Sequence, residues 1–321
     1  MCCCAAESEA HAYGTGHVPV MLNEVVDFLA PGPGGRYLDC TFGGGGHSRA
    51  VLEAHSSIRV VALDRDPDAE NRARAMSNAN GDRLTFHRFD FGSLATLPET
   101  GFTGILFDLG VSSFQLDDPN RGFSFRRESP LDLRMDPESG LPASAWLETV
   151  SEEALVHAIR NYGEERRWRS VVSAIMEARG SSRLTTTTGL SSLIESALPG
   201  YRRHEKRIHP ATRTFQGIRI ALNDELGALE RALPAAFERL GPGGVLCVIS
   251  FHSLEDRMVK RFFRWKSGVA VDATDGLPNQ LRSSEASLLT RKPIAPSEAE
   301  IEANPRSRSA RLRSLKKFES S

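Results

Sequence analysis

No stretch of this 321-residue chain stays apolar for the ~20 residues that a membrane span needs. The longest strongly apolar run lies around Val245–Phe251. Neither charge is in excess: 40 Lys and Arg stand against 41 Asp and Glu, a net charge of −1. That excludes a uniformly basic nucleic-acid coat and a strongly acidic protein, while leaving local patches open. Cysteine is scarce and badly placed for a disulfide framework. Of the five, Cys2, Cys3 and Cys4 are adjacent, while Cys40 and Cys247 sit in apolar runs as small hydrophobes do. No second ligand pair at zinc-like spacing accompanies Cys2–Cys4, so no metal site is expected. A basic segment leading into an apolar one is also missing, and the expectation is a cytoplasmic protein.

What is present is a globular composition, 40% hydrophobic and 25% charged, long enough for two domains or for one carrying an insertion. Residues 1–16 have no period and read as a disordered tail. Val20, Leu22, Val25, Val26 and Leu29 can line a short helix. Short apolar runs at Tyr37–Cys40, Ile58–Leu63, Leu84–Phe86 and Ile105–Phe107 then alternate with helical segments, the pattern of a parallel, doubly wound α/β sheet. The alternation stops over residues 116–213, which are polar with helix-like stretches, and returns at the strand Val245–Phe251. Before that strand, Ile218, Leu222, Leu226, Leu229, Leu233 and Leu240 recur at helical spacing. The expected organisation is an α/β domain in two parts, 17–115 and 214–303, with an inserted helical domain at 116–213 and a basic C-terminal tail at 304–321.

Asp39 ends the first strand, Gly43–Gly46 follow, and Asp64 ends the next strand 21 residues after Gly43. Glycines admit close backbone approach, the following helix N-terminus offers unpaired N–H groups, and an acid at that spacing can accept the hydroxyls of a ribose. The dinucleotide fingerprint G-x-G-x-x-G fails because Ser48 holds the third glycine's place. The pattern puts S-adenosylmethionine (SAM) ahead of a nicotinamide dinucleotide, which stays the alternative.

Several motifs occur in order along the chain. They include His17–Leu22, Asp39–Ser48 (DCTFGGGGHS), Leu63–Pro67 (LDRDP), Phe107–Asp117 (FDLGVSSFQLD), Arg121–Phe125 (RGFSF) and Pro130–Asp136 (PLDLRMD). Arg213–Gln216 (RTFQ), Ile249–Arg257 (ISFHSLEDR) and Arg306–Arg313 (RSRSARLR) complete the series. Together they resemble the bacterial 16S ribosomal RNA (cytosine-N4) methyltransferases from His17 to Arg313. The resemblance implies a Rossmann-like, SAM-dependent methyltransferase with an inserted helical domain. It implies a target at decoding-centre cytosine 1402 in the usual rRNA numbering. By the same resemblance Gly45, Gly46 and His47 contact the amino acid end of SAM, Asp64 the ribose and Phe91 the adenine neighbourhood, while Asp108 and Gln115 occupy further cofactor positions. One departure is Cys40, where that family commonly has glycine.

An exocyclic amine is a poor nucleophile, so the protein's main task is to align nitrogen, methyl and sulfur and to accept a proton. Asp108, or carbonyls of the Leu109–Gly110 turn, can serve as that acceptor. Neither Cys40 nor Cys247 lies on an active-site loop, which disfavours the cysteine nucleophile of carbon-5 methylation. His252, Glu255 and Asp256 read either as an acid/base or metal cluster or, better, as a helix start capped by Ser253. Basic runs at residues 200–219 and 304–317, and the Arg121–Arg127 loop with Phe123 and Phe125, suit RNA phosphates and bases, although solvated faces or a packed lid explain each alone. The implied partner is 16S rRNA or the assembling 30S subunit, with no membrane and no obligatory protein partner.

Overall fold

Apolar runs too short for anything but buried strands, punctuated by capped polar segments, fold in the computed structural model, which describes residues 19–200 and 209–319, into two compact units. One unit takes the described residues up to Gly110 together with those from Gly227 onward, and the other is Val111–Leu226. The expected tail at 1–16, the start of the His17 motif and Arg202, Arg203, Lys206 and Arg207 lie outside the described residues.

Helix α1 (Leu22–Leu29) buries Val25 and Leu29 and ends where Ala30 turns left-handed. Strand β1 (Arg36–Asp39), helix α2 (Gly46–Ala54), strand β2 (Arg59–Asp64), helix α3 (Pro67–Asn80) and strands β3 (Leu84–Arg88) and β4 (Phe102–Asp108) follow. Helix α3 starts because the Asp66 side chain accepts the Asp68 N–H (3.1 Å) and Pro67 gives up no useful donor.

The second unit is helical. It contains α4 (Ser113–Asp117), α5 (Ala143–Thr149), α6 (Glu152–Val156), α7 (Trp168–Glu177), α8 (Thr187–Ala197) and α9 (Ala211–Asn223) around a core that includes Leu147, Ile159, Ile175, Ile194 and Ile218. This unit is wider than the expected 116–213. Phe215 and Ile218 of α9 pack in its core, and the Asn223 side chain donates to the Leu133 carbonyl (2.8 Å) and accepts the Met135 N–H (2.7 Å). The leucine spacing predicts one helix through this region. Instead Asp224, left-handed at φ 50°, separates α9 from α10 (Glu225–Arg239).

Strand β5 (Leu240–Ser250), helix α11 (Ser253–Lys266), strand β6 (Ala286–Leu288), helix α12 (Glu298–Ala303) and strand β7 (Arg311–Lys317) complete the first unit. Its seven-stranded sheet has the order β3-β2-β1-β4-β5-β7-β6. The first five strands in that order are parallel, and β7 runs antiparallel to both β5 and β6. Both faces are covered, so successive residues go to opposite cores: Leu63, Ile105 and Phe107 to one, Ala62, Leu106 and Cys247 to the other. The architecture is the Rossmann-like α/β sheet that the alternation implies.

The C-terminal expectation needs correction. Residues 304–321 are not simply a basic tail, because Arg311–Lys317 form an internal strand whose Leu312 and Leu315 are fully buried. Its arginines hid the strand, and one of them is neutralised within the fold: Arg313 Nε lies 2.7 Å from Asp256 Oδ1.

Candidate active site

Parallel pairing lines up the carboxyl ends of four strands. Asp39 sits opposite Ala62 and Leu106, Asp64 opposite Arg88, and Asp108 opposite Ile249. The glycine loop, Asp64, Phe91 and Asp108 therefore share one rim of the sheet, on either side of the point where chain order reverses between β1 and β4.

Asp39 is buried and braces the loop from beneath. Its Oδ1 accepts the Thr41 N–H (3.1 Å) and its Oδ2 the Ser48 hydroxyl (2.7 Å). Burial raises its pKa against these hydrogen bonds. These bonds give Asp39 a scaffolding role. Gly45 is left-handed at φ 75°, and a Cβ there would lie 2.6 Å from the Phe42 ring. A Cβ at Gly46 would collide with Pro19. Only glycine lets the loop enter α2 this tightly.

Asp64 closes the loop from the side. Its Oδ2 accepts the Gly43 N–H (2.7 Å) and its Oδ1 the Asp66 N–H (2.9 Å). One lone pair on each oxygen is left for another donor. Burial outweighs these two bonds, and its pKa is pushed up to about 6. Phe91 follows β3, packs edge-on to Phe107 (5.6 Å between centroids) and rests on the core.

His47 opens α2 in a buried position, with Nε2 3.6 Å from Asp108 Oδ2. The Asp108 backbone N–H donates to Thr41 Oγ1 (2.7 Å), which ties β4's end to the glycine loop. Among the described residues, both ring nitrogens of His47 and Asp108 Oδ1 are buried with no hydrogen-bond partner. Buried polar atoms are normally satisfied, so an orphaned set at a strand-end rim fits a polar ligand with its own donors and acceptors. Beside the carboxylate of Asp64, this set has the chemistry to hold a molecule carrying both an amino acid end and a ribose.

The first unit thus brings together Gly45, Gly46, His47, Asp64, Phe91 and Asp108. Gln115 belongs to the second unit. It forms a reciprocal cap with Ser112: its Oε1 accepts the Ser112 N–H (2.9 Å), and its Nε2 donates to the Met135 carbonyl (3.5 Å). Thr41, Ser48 and Phe42 escape sequence reasoning, although each lies within the glycine motif and binds or packs against residues singled out above. Glu300 escapes it too: its Oε1 accepts the Met21 N–H (2.7 Å), 279 residues away.

Other expectations change. His252, not Ser253, precedes α11, and the Glu255 carboxylate accepts the Phe251 N–H (2.8 Å), so Glu255 serves the helix start. Arg121 is buried and donates to the Met135 carbonyl (2.8 Å), while Phe125 packs on Phe215. The lid reading, in which Phe123 and Phe125 pack on the core, holds, and Arg126 and Arg127 alone in that loop stay exposed. Arg219 is held by both oxygens of Glu225 (2.8 and 2.9 Å).

The sequence pattern of the MraW methylase family matches residues 14–318. A protein from Thermomicrobium roseum, named ribosomal RNA small subunit methyltransferase H, is 49% identical over 311 residues, which cover 95% of this chain and 94% of its own. A protein of the same name from Gluconobacter oxydans is 48% identical over 306 residues, covering 94% of this chain and 93% of its own.

Proposed function

Since the chain belongs to the MraW methylase family, we propose that it transfers a methyl group from SAM to the exocyclic N4 amine of a decoding-centre cytidine in 16S rRNA. The observation that carries this reading is the strand-end rim, where a glycine loop, an acid that can take a ribose and an orphaned His47–Asp108 pair converge. The rRNA substrate puts its work in the cytoplasm, on the free RNA or the assembling 30S subunit.

SAM, when bound, supplies a methyl group activated by its sulfonium. The backbone around Gly45 and Gly46 and the side chain of His47 hold the amino acid end, Asp64 accepts the ribose hydroxyls, and Phe91 walls the adenine side. Gln115 keeps a supporting role through its cap on α4. Asp108 Oδ1, which has no hydrogen-bond partner among the described residues, accepts a proton from the cytosine amine as the nitrogen rehybridises. Alignment of nitrogen with methyl does the rest. The inserted helical unit is the part assigned to the RNA.

Carbon-5 chemistry would need a thiolate at the rim. Cys40 and Cys247 are both buried, and burial raises the first thiol well above its usual range and the second to about 12. The test is nucleoside mass analysis of small-subunit rRNA treated with the enzyme and SAM. The expected product is N4-methylcytidine; 5-methylcytidine, or no methylated cytidine, would end this reading.

A further inference from the structure

The arginines Arg306, Arg308, Arg311 and Arg313 form one run in the sequence, but the fold sorts them. Arg313 points into the first unit and is bound by Asp256 through two hydrogen bonds (2.7 and 3.0 Å). The others stand on a segment whose two ends are fastened beside the strand-end rim.

At its beginning, Glu300 accepts the Met21 N–H (2.7 Å), next to the Pro19 ring that packs on Gly46, and its carboxyl senses both His47 and Asp108. At its end, Arg311 pairs with Ser250, the last residue of β5, while Asp108 pairs with Ile249 on that strand's other side. Two strand spacings of about 4.8 Å put the backbone of Arg311 about 10 Å from that of Asp108. Antiparallel entry of β7 is the cause: it brings the start of this strand to the rim where the parallel strands finish.

Between the two anchors the chain is held stiffly. Asn304 caps the 3-10 turn Pro305–Ser309, and Ser307 is fully buried with its hydroxyl donating to the Asn304 carbonyl (2.8 Å). Burial of Ser307 and Ala310 turns Arg308 outward, where it is exposed. Arg311 is half-buried and spends one N–H on the Ala310 carbonyl (2.7 Å), leaving other donors of its fork. Residues 304–317 contain no acid, although Glu298 and Glu302 are exposed just upstream, so the positive end of the segment is the end nearer Asp108.

We propose that Arg308 and Arg311 bind the RNA backbone phosphate next to the reacting nucleotide, while Arg313 is a structural member of the sheet. This rests on the functional reading above. A guanidinium offers bidentate donors to phosphate, and two on a rigid turn fix a nucleotide's register without reading its base.

The experiment measures 16S rRNA affinity against salt for the wild-type protein, R308Q/R311Q and R313Q, with SAM affinity and Tm for each. In R308Q/R311Q the slope of log K against log salt should become shallower by about 0.7, the value for one single-strand phosphate contact, with SAM affinity and Tm held. In R313Q the Tm should fall and the slope should stay that of wild type. An unchanged slope in a folded, SAM-binding R308Q/R311Q protein overturns the phosphate site alone. If R308Q/R311Q loses Tm or SAM affinity, R308K/R311K decides: retention of the wild-type slope supports the site and a loss of slope in proportion to Tm overturns it. A wild-type protein that transfers no methyl to the RNA instead brings down the functional reading.

Discussion

Asp64 is a carboxylate with two commitments. It fastens the glycine loop through the Gly43 N–H, and in the proposed complex it must also accept ribose hydroxyls. Ionisation serves both, yet burial has pushed its pKa up to about 6. An acid whose folded pKa exceeds its unfolded value stabilises the fold fully below the unfolded value, and that contribution is lost as pH rises through about 6. Cofactor affinity moves the opposite way, because the ionised form is the better acceptor. SAM binding followed by calorimetry should therefore weaken as pH drops through about 6, by about tenfold per unit below it. D64N should bind SAM more weakly, by about 1.5–3 kcal/mol at neutral pH, and lose most of this pH dependence. An equally pH-dependent D64N would move the titration to another group. A role for Asp64 was open to sequence reasoning because a strand-end acid at fixed distance from a glycine run is a local pattern. The duty of Asp39 was not, since only its hydrogen bonds to Thr41 and Ser48 separate a brace from a ligand contact.

At the level of elements, what could be read from sequence divides by locality. Strands β1, β2, β4 and β5 carry apolar runs buried on both faces and announce themselves, while β3, at the sheet's edge, is only partly buried. Strand β7 reads Arg-Leu-Arg-Ser-Leu-Lys-Lys, with no apolar run to mark it, and the ion pair that neutralises Arg313 is one that only the fold assembles. The break between α9 and α10 falls at Asp224, with neither glycine nor proline to mark it. The Arg313–Asp256 pair is largely removed from water on the arginine side, which is 8% exposed, so removing one partner strands the other. R313Q should cost about 1.5–3 kcal/mol in denaturant unfolding. D256N/R313Q should lose less than the sum of the single variants, by the coupling that neighbouring groups show. Additive losses would mean that Arg313 acts through packing alone.

For the whole molecule, the sheet is assembled from two stretches of sequence with Val111–Leu226 between them. The inserted unit was recognisable as a lapse in strand–helix alternation, but its edges were not, because α9 carries the same apolar spacing as a helix laid on the sheet while packing in the other core. A protein ending before Arg311 would expose the full antiparallel edge of β5, from Val245 to Ser250. Unpaired hydrophobic edges recruit other chains. Truncation after residue 303 should therefore give oligomers or aggregate by light scattering, whereas a soluble monomer would show that β5 tolerates its open edge.

The same antiparallel strand sets a timetable for biosynthesis. Strand β4 leaves the ribosome with its β5-facing side unpaired and waits through more than a hundred residues for its neighbour, and β5 then waits for β7. Contacts so distant in sequence close slowly. Until β7 emerges the nascent chain carries an open template edge, so it is this strand that makes the sheet safe from other chains.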